Sequence, residues 1–187
     1  MNQVIRNIQQ RRSVRAYNSE PISRDDLETI IQCGNAAPSG GNNRAWRFVV
    51  VQDTDFRKQL ALLAIPRYRK WIASMPQPLK ELRAEVDKQT DDPAYYNAPA
   101  IVFVIGSGLT SDLDCSMVCE NMMLAARSID IGSCWVYIGQ LVLDDPDIRK
   151  ALELKEYEKV YGPILFGYPR GNFPEPPSIK QPQIKWI

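Results

Sequence analysis

The chain has 187 residues, of which 44% are hydrophobic and 24% are charged. This balance is typical of a globular protein with a substantial core, and it excludes a disordered or fibrous chain. The net charge of +1 gives the molecule as a whole no electrostatic basis for binding nucleic acid or an anionic membrane, so we expect neither partner.

The first half of the chain predicts three helices and one strand. A helix over residues 2–12 would carry a narrow apolar face. The sequence SRDD at residues 23–26 is a capping box that opens a second helix, and Gly34 is expected to end that helix. A strand follows at residues 48–51, and a third helix begins at Asp53 or at the residue after it.

The proline-containing region 65–98 predicts irregular structure around a polar helix near residues 79–90. Its aromatic side chains have two possible roles, as a lid over a flat pocket or as packing in a dimer. The aromatic residues concerned are Tyr68, Trp71, Tyr95 and Tyr96.

The second half continues the alternation of helices and strands. The run APAIVFVIG is apolar throughout, which predicts a strand covered on both faces. A helix over about residues 112–129 is apolar around nearly its whole circumference and should lie in the interior. Two further strands are predicted at GSCWVYIG and YGPILFGYP, with a short helix between them. The chain then ends in a proline-rich tail that closes with the apolar sequence IKWI.

The chain contains no histidine, which removes Ser-His-Asp and Cys-His catalysis and most zinc sites. If the protein is an enzyme, we therefore expect a cofactor to carry the reaction. Its four cysteines lack CxxC spacing and are typical of reduced, buried side chains. Cys115 and Cys119 would share a helix face, so a metal or redox pair stays open as an alternative. With no apolar signal sequence or membrane span, we predict a cytoplasmic protein.

Three arginines and a serine lie within RRSVR at residues 11–15. If the first helix continued, Arg11 and Arg15 would share a face at its C-terminal end. One interpretation is a solvated basic helix end that complements the helix dipole. The other is a phosphate clamp, in which guanidinium groups and the Ser13 hydroxyl donate to one dianion.

The loop APSGGNNRAW at residues 37–46 is the second distinctive segment. Its small residues allow backbone N–H groups to approach a flat ligand, although an ordinary turn would look similar. The ordered set of RRSVR, PSGGN, the strand RFVVV and a late GYP resembles the nitroreductase family of FMN-dependent oxidoreductases. The resemblance runs from Ile8 to Ile187.

This resemblance implies an α+β fold in a single domain over residues 1–187, with a central mixed β-sheet flanked by helices. It further implies an intertwined homodimer, in which the C-terminal segment of each chain adds to the sheet of its partner. Two FMN sites would then lie at the subunit interface, each built from both chains.

The resemblance also implies the FMN ligands. The phosphate ligands would be Arg11, Arg12 and Ser13, with Lys180 as a second basic ligand from the tail. Arg15 would lie near the pyrimidine edge of the flavin. The partner chain would line the flavin ring with Pro38, Ser39, Gly40 and Asn42. Backbone N–H groups of Tyr137, Ile138 and Gly139 would face the ring near N5 and O4.

One departure from the family pattern lies in the loop, where Arg44 and Ala45 replace a glutamine and a proline. Basic residues Arg67, Arg69 and Lys70 find no match, and they either meet an NADPH phosphate or are solvated.

The implied activity is hydride transfer from NADH or NADPH through FMN to a small acceptor, such as a nitroaromatic or a quinone, in a ping-pong cycle. No titrating catalytic residue is required for such chemistry, which suits a chain without histidine. The alternative is an FMN-binding protein without turnover, which stores the flavin or serves as an electron-transfer partner.

Overall fold

Six helices and four strands make up the fold in the computed structural model, which describes residues 2–88, 90–175 and 180–187. The helices are α1 (Gln3–Gln10), α2 (Arg24–Asn35), α3 (Thr54–Ala73), α4 (Gln77–Asp87), α5 (Ser111–Ser128) and α6 (Pro146–Ala151). The strands are β1 (Trp46–Val51), β2 (Ala100–Gly106), β3 (Gly132–Trp135) and β4 (Lys159–Gly167). Two 3-10 turns lie at Gly40–Asn42 and Ile138–Val142.

The four strands form one sheet in the order β1-β2-β4-β3, and every neighbouring pair is antiparallel. The predicted mixed sheet is therefore wrong for the described strands. β2 and β3 run in the same direction, and α5 connects them. They are not paired with each other, because β4 lies between them and runs antiparallel to both. A single parallel bridge joins Ser13 to Ser133 outside the named strands.

β2 is buried along its whole length, as its apolar sequence predicted. Ile101, Phe103 and Ile105 face one hydrophobic cluster, which α3 helps to form. The residues between them, among them Val102 and Val104, face a second cluster with α2 and α5. The alternation of side chains along a strand thus places core on both faces of the sheet.

Several element boundaries differ from the predictions. α3 continues through Pro66 to Ala73, so the first part of the region predicted as irregular is helical. Gly34 lies inside α2 and does not end it. The strand predicted from GSCWVYIG ends at Trp135, where the chain turns into the 3-10 segment. The predicted polar helix corresponds to α4, and residue 89 at its expected end lies outside the described residues.

Cys115 and Cys119 are both buried in α5, where burial raises the pKa of each thiol to about 12. This environment favours the interpretation as reduced core side chains. In the described tail, Ile184, Trp186 and Ile187 are exposed, while residues 176–179 of the proline-rich segment lie outside the description. Within the described ranges no helix combines the length and apolarity needed to cross a membrane.

Candidate functional site

The basic segment, residues 11–15 (RRSVR), follows α1 and is extended rather than helical. Arg11 caps α1 with φ −58° and ψ 133°, so the chain leaves the helix before the arginine cluster. The backbone N of Val14 then donates to the carbonyl O of Ser133 at 2.9 Å. The arginines therefore do not share a helix face, and the segment lies beside β3 at the edge of the sheet.

The three guanidinium groups of this segment differ in their partners. Arg11 pairs with Glu120 of α5 at 3.2 Å. Arg12 donates through Nη1 to the carbonyl O of Gln9 at 2.8 Å, and its buried Nε has no hydrogen-bond partner among the described residues. Arg15 is exposed, and none of the ion pairs of the described residues includes it. Two positive charges thus lack a carboxylate, which is the arrangement expected of an anion site.

A cleft of about 330 Å³ opens beside this segment. Ser13, Arg15 and Arg170 are among the residues that line it. None of the described residues that line the cleft is acidic. The sequence analysis did not single out Arg170, although it directly follows the GYP motif.

The glycine-serine loop, residues 37–46, is attached to the N-terminal end of α5. The backbone N of Gly40 donates to Asp114 Oδ1 at 3.2 Å, and the Thr110 hydroxyl donates to Asp114 Oδ2 at 2.7 Å. A Cβ at Gly40 would lie 2.7 Å from Thr110 Oγ1, so only glycine allows this close approach. Pro38 at the start of this loop is exposed.

The backbone of this loop is held in a left-handed conformation, with φ of 59° at Gly41, 55° at Asn42 and 48° at Arg44. The backbone N of Arg44 donates to Ser39 Oγ at 3.0 Å, and Arg44 Nε donates to Asn42 Oδ1 at 3.0 Å. Because non-glycine residues adopt positive φ only where surrounding contacts hold them, this loop is a built feature rather than a loose turn.

One chain does not bring the basic segment and this loop together. No hydrogen bond or ion pair between described residues joins them. The loop contacts Asp114 in the first turn of α5, whereas the segment lies beside β3 and contacts α5 through the pair of Arg11 with Glu120. Glu120 is six residues beyond Asp114, which is a rise of about 9 Å along the helix.

The segment at Ile138 and Gly139 is rigid and buried. The Tyr95 hydroxyl donates to the carbonyl O of Gly139 at 2.9 Å, and a Cβ at Gly139 would lie 2.6 Å from Pro163 Cγ. The neighbouring Tyr137 is exposed, and its ring centroid lies 6.2 Å from that of Trp71. The segment therefore combines fixed backbone with an aromatic surface suited to a flat ligand.

Of the four aromatic residues proposed as lid or dimer packing, three are buried within one chain, and one of these, Tyr96, also lines the cleft. Tyr68, Tyr95 and Tyr96 are buried in the core of the same chain. The Tyr68 hydroxyl donates to Asp87 at 2.6 Å. Burial is the main cause that raises the pKa of Tyr68 to about 12, and the hydrogen bond to Asp87 is the second cause. Trp71 is partly buried and is the one of the four that lies against the exposed Tyr137.

Two further basic residues, Arg67 and Lys180, do not line the cleft beside Ser13. Arg67 of α3, which the sequence left unassigned, pairs with Asp144 at 3.3 Å and Asp145 at 3.5 Å. Its buried Nη1 has no hydrogen-bond partner within the described part of the chain. Lys180, the predicted second phosphate ligand, is exposed in the tail and does not line the cleft beside Ser13.

Comparisons with known proteins find similar sequences and similar folds. The model of the nitroreductase family matches residues 8–168. A solved nitroreductase with bound FMN from Bacteroides fragilis NCTC 9343 is 33% identical, is covered over 100% of both chains and superposes with a TM-score of 0.80. The FMN reductase (NAD(P)H) of Bacillus subtilis strain 168 is 27% identical over 188 residues, which cover 98% of this chain and 73% of that protein.

A relative with a different activity is also found. An iodotyrosine deiodinase of Danio rerio is 26% identical over 197 residues, which cover 95% of this chain and 63% of that protein. Similarity alone therefore does not select the molecule that is reduced, and the acceptor has to be argued from the site.

Proposed function

The chain belongs to the nitroreductase family, and from this premise we propose that it is an FMN-dependent oxidoreductase that takes a hydride from NADH or NADPH. The single observation that carries the proposal is the basic segment beside β3. There the buried Nε of Arg12 lacks a partner among the described residues, and Arg15 lacks a carboxylate. A phosphate-bearing cofactor supplies the missing anion.

The residues present fit FMN. Arg11, Arg12 and Ser13 would hold the phosphate, because a guanidinium fork and a hydroxyl both donate to its oxygens. Arg15 would lie at the pyrimidine edge. The backbone at Ile138 and Gly139, which is packed against Pro163 and Tyr95, would meet the ring.

We propose that the remaining ring contacts come from a second copy of the chain. No hydrogen bond or ion pair between described residues joins the loop residues Pro38, Ser39, Gly40 and Asn42 to the basic segment of the same chain, and in this proposal the loop of a partner completes the site. The homodimer also gives a role to the apolar residues of α1, of which Val4 is 67% exposed and Ile8 is 52% exposed. In the same assembly the exposed IKWI segment would add to the partner's sheet.

When bound, FMN supplies hydride acceptance and hydride delivery at its ring. Arg15 would place a cation at the pyrimidine edge of the ring and would stabilise negative charge there, an effect that grows as water is excluded. The backbone N–H groups near Gly139 would orient the ring. No titrating side chain has to move a proton in this arrangement, in keeping with the absence of histidine.

The acceptors that the site supports best are small flat molecules such as quinones and nitroaromatics. The exposed ring of Tyr137, backed by Trp71, offers them an apolar stacking surface. Donor and acceptor would use this surface in turn, which is a ping-pong cycle.

The test is the absorption spectrum of the purified protein under anaerobic conditions. We expect a yellow protein whose flavin band is bleached by NADH or NADPH and recovers when a quinone or a nitroaromatic is added. A flavin band that neither nucleotide bleaches would contradict the oxidoreductase and favour FMN storage or electron transfer from another protein.

A further inference from the structure

Arg170 lies in the cleft beside the basic segment and is held there by the backbone of that segment. Its backbone N donates to the carbonyl O of Ala16 at 2.9 Å, and its Nη2 donates to the carbonyl O of Tyr17 at 3.3 Å. Tyr17 also forms an antiparallel bridge with Pro169. A residue from the far end of the sequence is thereby fixed next to Arg15.

A second anchor follows three residues later. The ring of Phe173 packs against the hydrophobic core and lies under the Arg127 guanidinium, whose Cζ is 4.1 Å from the ring centroid. A contact of this kind stabilises the segment through both stacking and charge. Arg170 thus lies between two attached points of the backbone, and its exposed side chain lines the cleft.

The cleft holds two positive charges and no described compensating negative charge. Arg15 and Arg170 both line it, and the remaining polar side chains that line it, those of Ser13, Thr90, Tyr96 and Asn172, are neutral. Two guanidinium groups in one cleft repel each other, and the repulsion grows where water is displaced. An oxyanion between them removes this repulsion and accepts hydrogen bonds from both.

We infer that Arg170 is an anion ligand of bound FMN, in addition to the residues that the family motifs indicate. The inference rests on the proposed function. FMN offers two sources of anionic oxygen near this cleft, namely its phosphate, which we place beside Ser13, and the N1–C2=O edge of the reduced ring, which we place beside Arg15. The two sources differ in whether riboflavin, which lacks the phosphate, also needs the arginine.

The experiment compares full-length wild type with Arg170→Gln, which removes the charge and keeps a hydrogen-bond donor. Dissociation constants for FMN and for riboflavin are measured by quenching of flavin fluorescence, and the midpoint potential is measured on the FMN-loaded proteins. Loss of one charge-assisted contact should weaken FMN binding about tenfold to a hundredfold. Arg24→Gln is the matched control, because Arg24 is exposed on α2 and pairs with Glu28, away from the cleft.

The comparison of FMN with riboflavin distinguishes the phosphate from the ring edge as the partner of Arg170. Weaker binding of FMN with unchanged binding of riboflavin assigns Arg170 to the phosphate. Weaker binding of both, with a lower midpoint potential, assigns it to the ring edge. Unchanged affinities and an unchanged potential would overturn the inference, whereas a wild-type protein that binds no flavin would overturn the proposed function itself.

A structural effect of the substitution is distinguished by a second variant. Arg170→Lys keeps the charge without the planar fork, so it should restore part of the lost affinity. If Arg170→Lys were as weak as Arg170→Gln while both apo-proteins unfolded at the wild-type temperature, the charge of Arg170 would have no part in binding.

Discussion

At the scale of single residues, Arg47 makes a bidentate ion pair with Glu158. Its Nε and Nη2 donate to the two carboxylate oxygens of Glu158 at 2.8 and 2.7 Å, and its guanidinium also reaches the carbonyl O of Leu152 at 3.2 Å. The hydrogen bonds from Arg47 lower the pKa of Glu158 to about 2. Arg47 therefore ties β1 to the segment that leads into β4.

This pair predicts a pH-dependent stability. The folded pKa of Glu158 lies below its ordinary value of 4.5, so the pair stabilises the fold above pH 4.5 and loses its effect as the pH falls toward 2. Glu158→Gln should lower the free energy of unfolding by about 2 kcal/mol at pH 7. Urea unfolding from pH 7 to pH 3 should show this difference shrinking in acid. A difference that stays constant over that range would contradict the account, and the exposed Glu156→Gln is the control.

The sequence indicated the composition of the site better than its geometry. RRSVR could be proposed as an anion site from the sequence because charge and hydroxyl are properties of the residues themselves, although a solvated basic segment has the same composition. The helical face predicted for Arg11 and Arg15 is wrong, because the bond from Val14 to Ser133 draws the segment into an extended path. Arg170 could not be predicted at all, since its place depends on contacts with residues about 150 positions away.

At the scale of elements, α2 and α5 pack closely at Gly34. A Cβ at this position would lie 2.5 Å from Met122 Cγ and 3.3 Å from Val118 Cγ1. The sequence predicted that Gly34 ends α2 because glycine is typical after a helix. In the structure α2 continues past it, and the missing side chain serves the approach of α5.

We therefore expect Gly34→Ala to destabilise the protein, although alanine favours helices by about 1 kcal/mol over glycine. Overpacking against the buried Met122 should cost about 1–3 kcal/mol, so the net loss is smaller. Thermal and urea unfolding measure it. In a double-mutant cycle, Met122→Ala should relieve the clash, and additive effects of the two substitutions would show that the Cβ meets no obstacle.

The elements that the sequence predicted well are those decided by burial alone. β2 was recognised because both of its faces are covered and its sequence is uniformly apolar. The second half of α3 was missed because Pro66 favours irregular structure locally, whereas packing of Tyr68 in the core keeps the helix intact. The extent of α3 therefore depends on tertiary contacts, which a local sequence pattern does not contain.

At the scale of the whole molecule, the two halves of the proposed site lie at different places on one chain. The basic segment lies beside β3, and the glycine-serine loop is held by Asp114 at the start of α5. The exposed Val4, Ile5 and Ile8 of α1 indicate a surface that a second chain would cover. The order of the sheet could not have been derived from the strands, because it depends on where β4 inserts.

We propose that each FMN is bound by the basic segment of one chain and the loop of another. Two differently tagged variants test it, one carrying Arg12→Ala with Ser13→Ala and the other carrying Asn42→Trp. Each variant alone should purify with little FMN. When the two are co-expressed, the heterodimer contains one intact site, formed by the unaltered basic segment of one chain and the unaltered loop of the other.

The decisive measurement is the flavin content of that purified heterodimer, determined from its absorption spectrum. We predict one FMN per heterodimer, because the second site carries both defects. A heterodimer without FMN would contradict the claim and would place the whole site within a single chain.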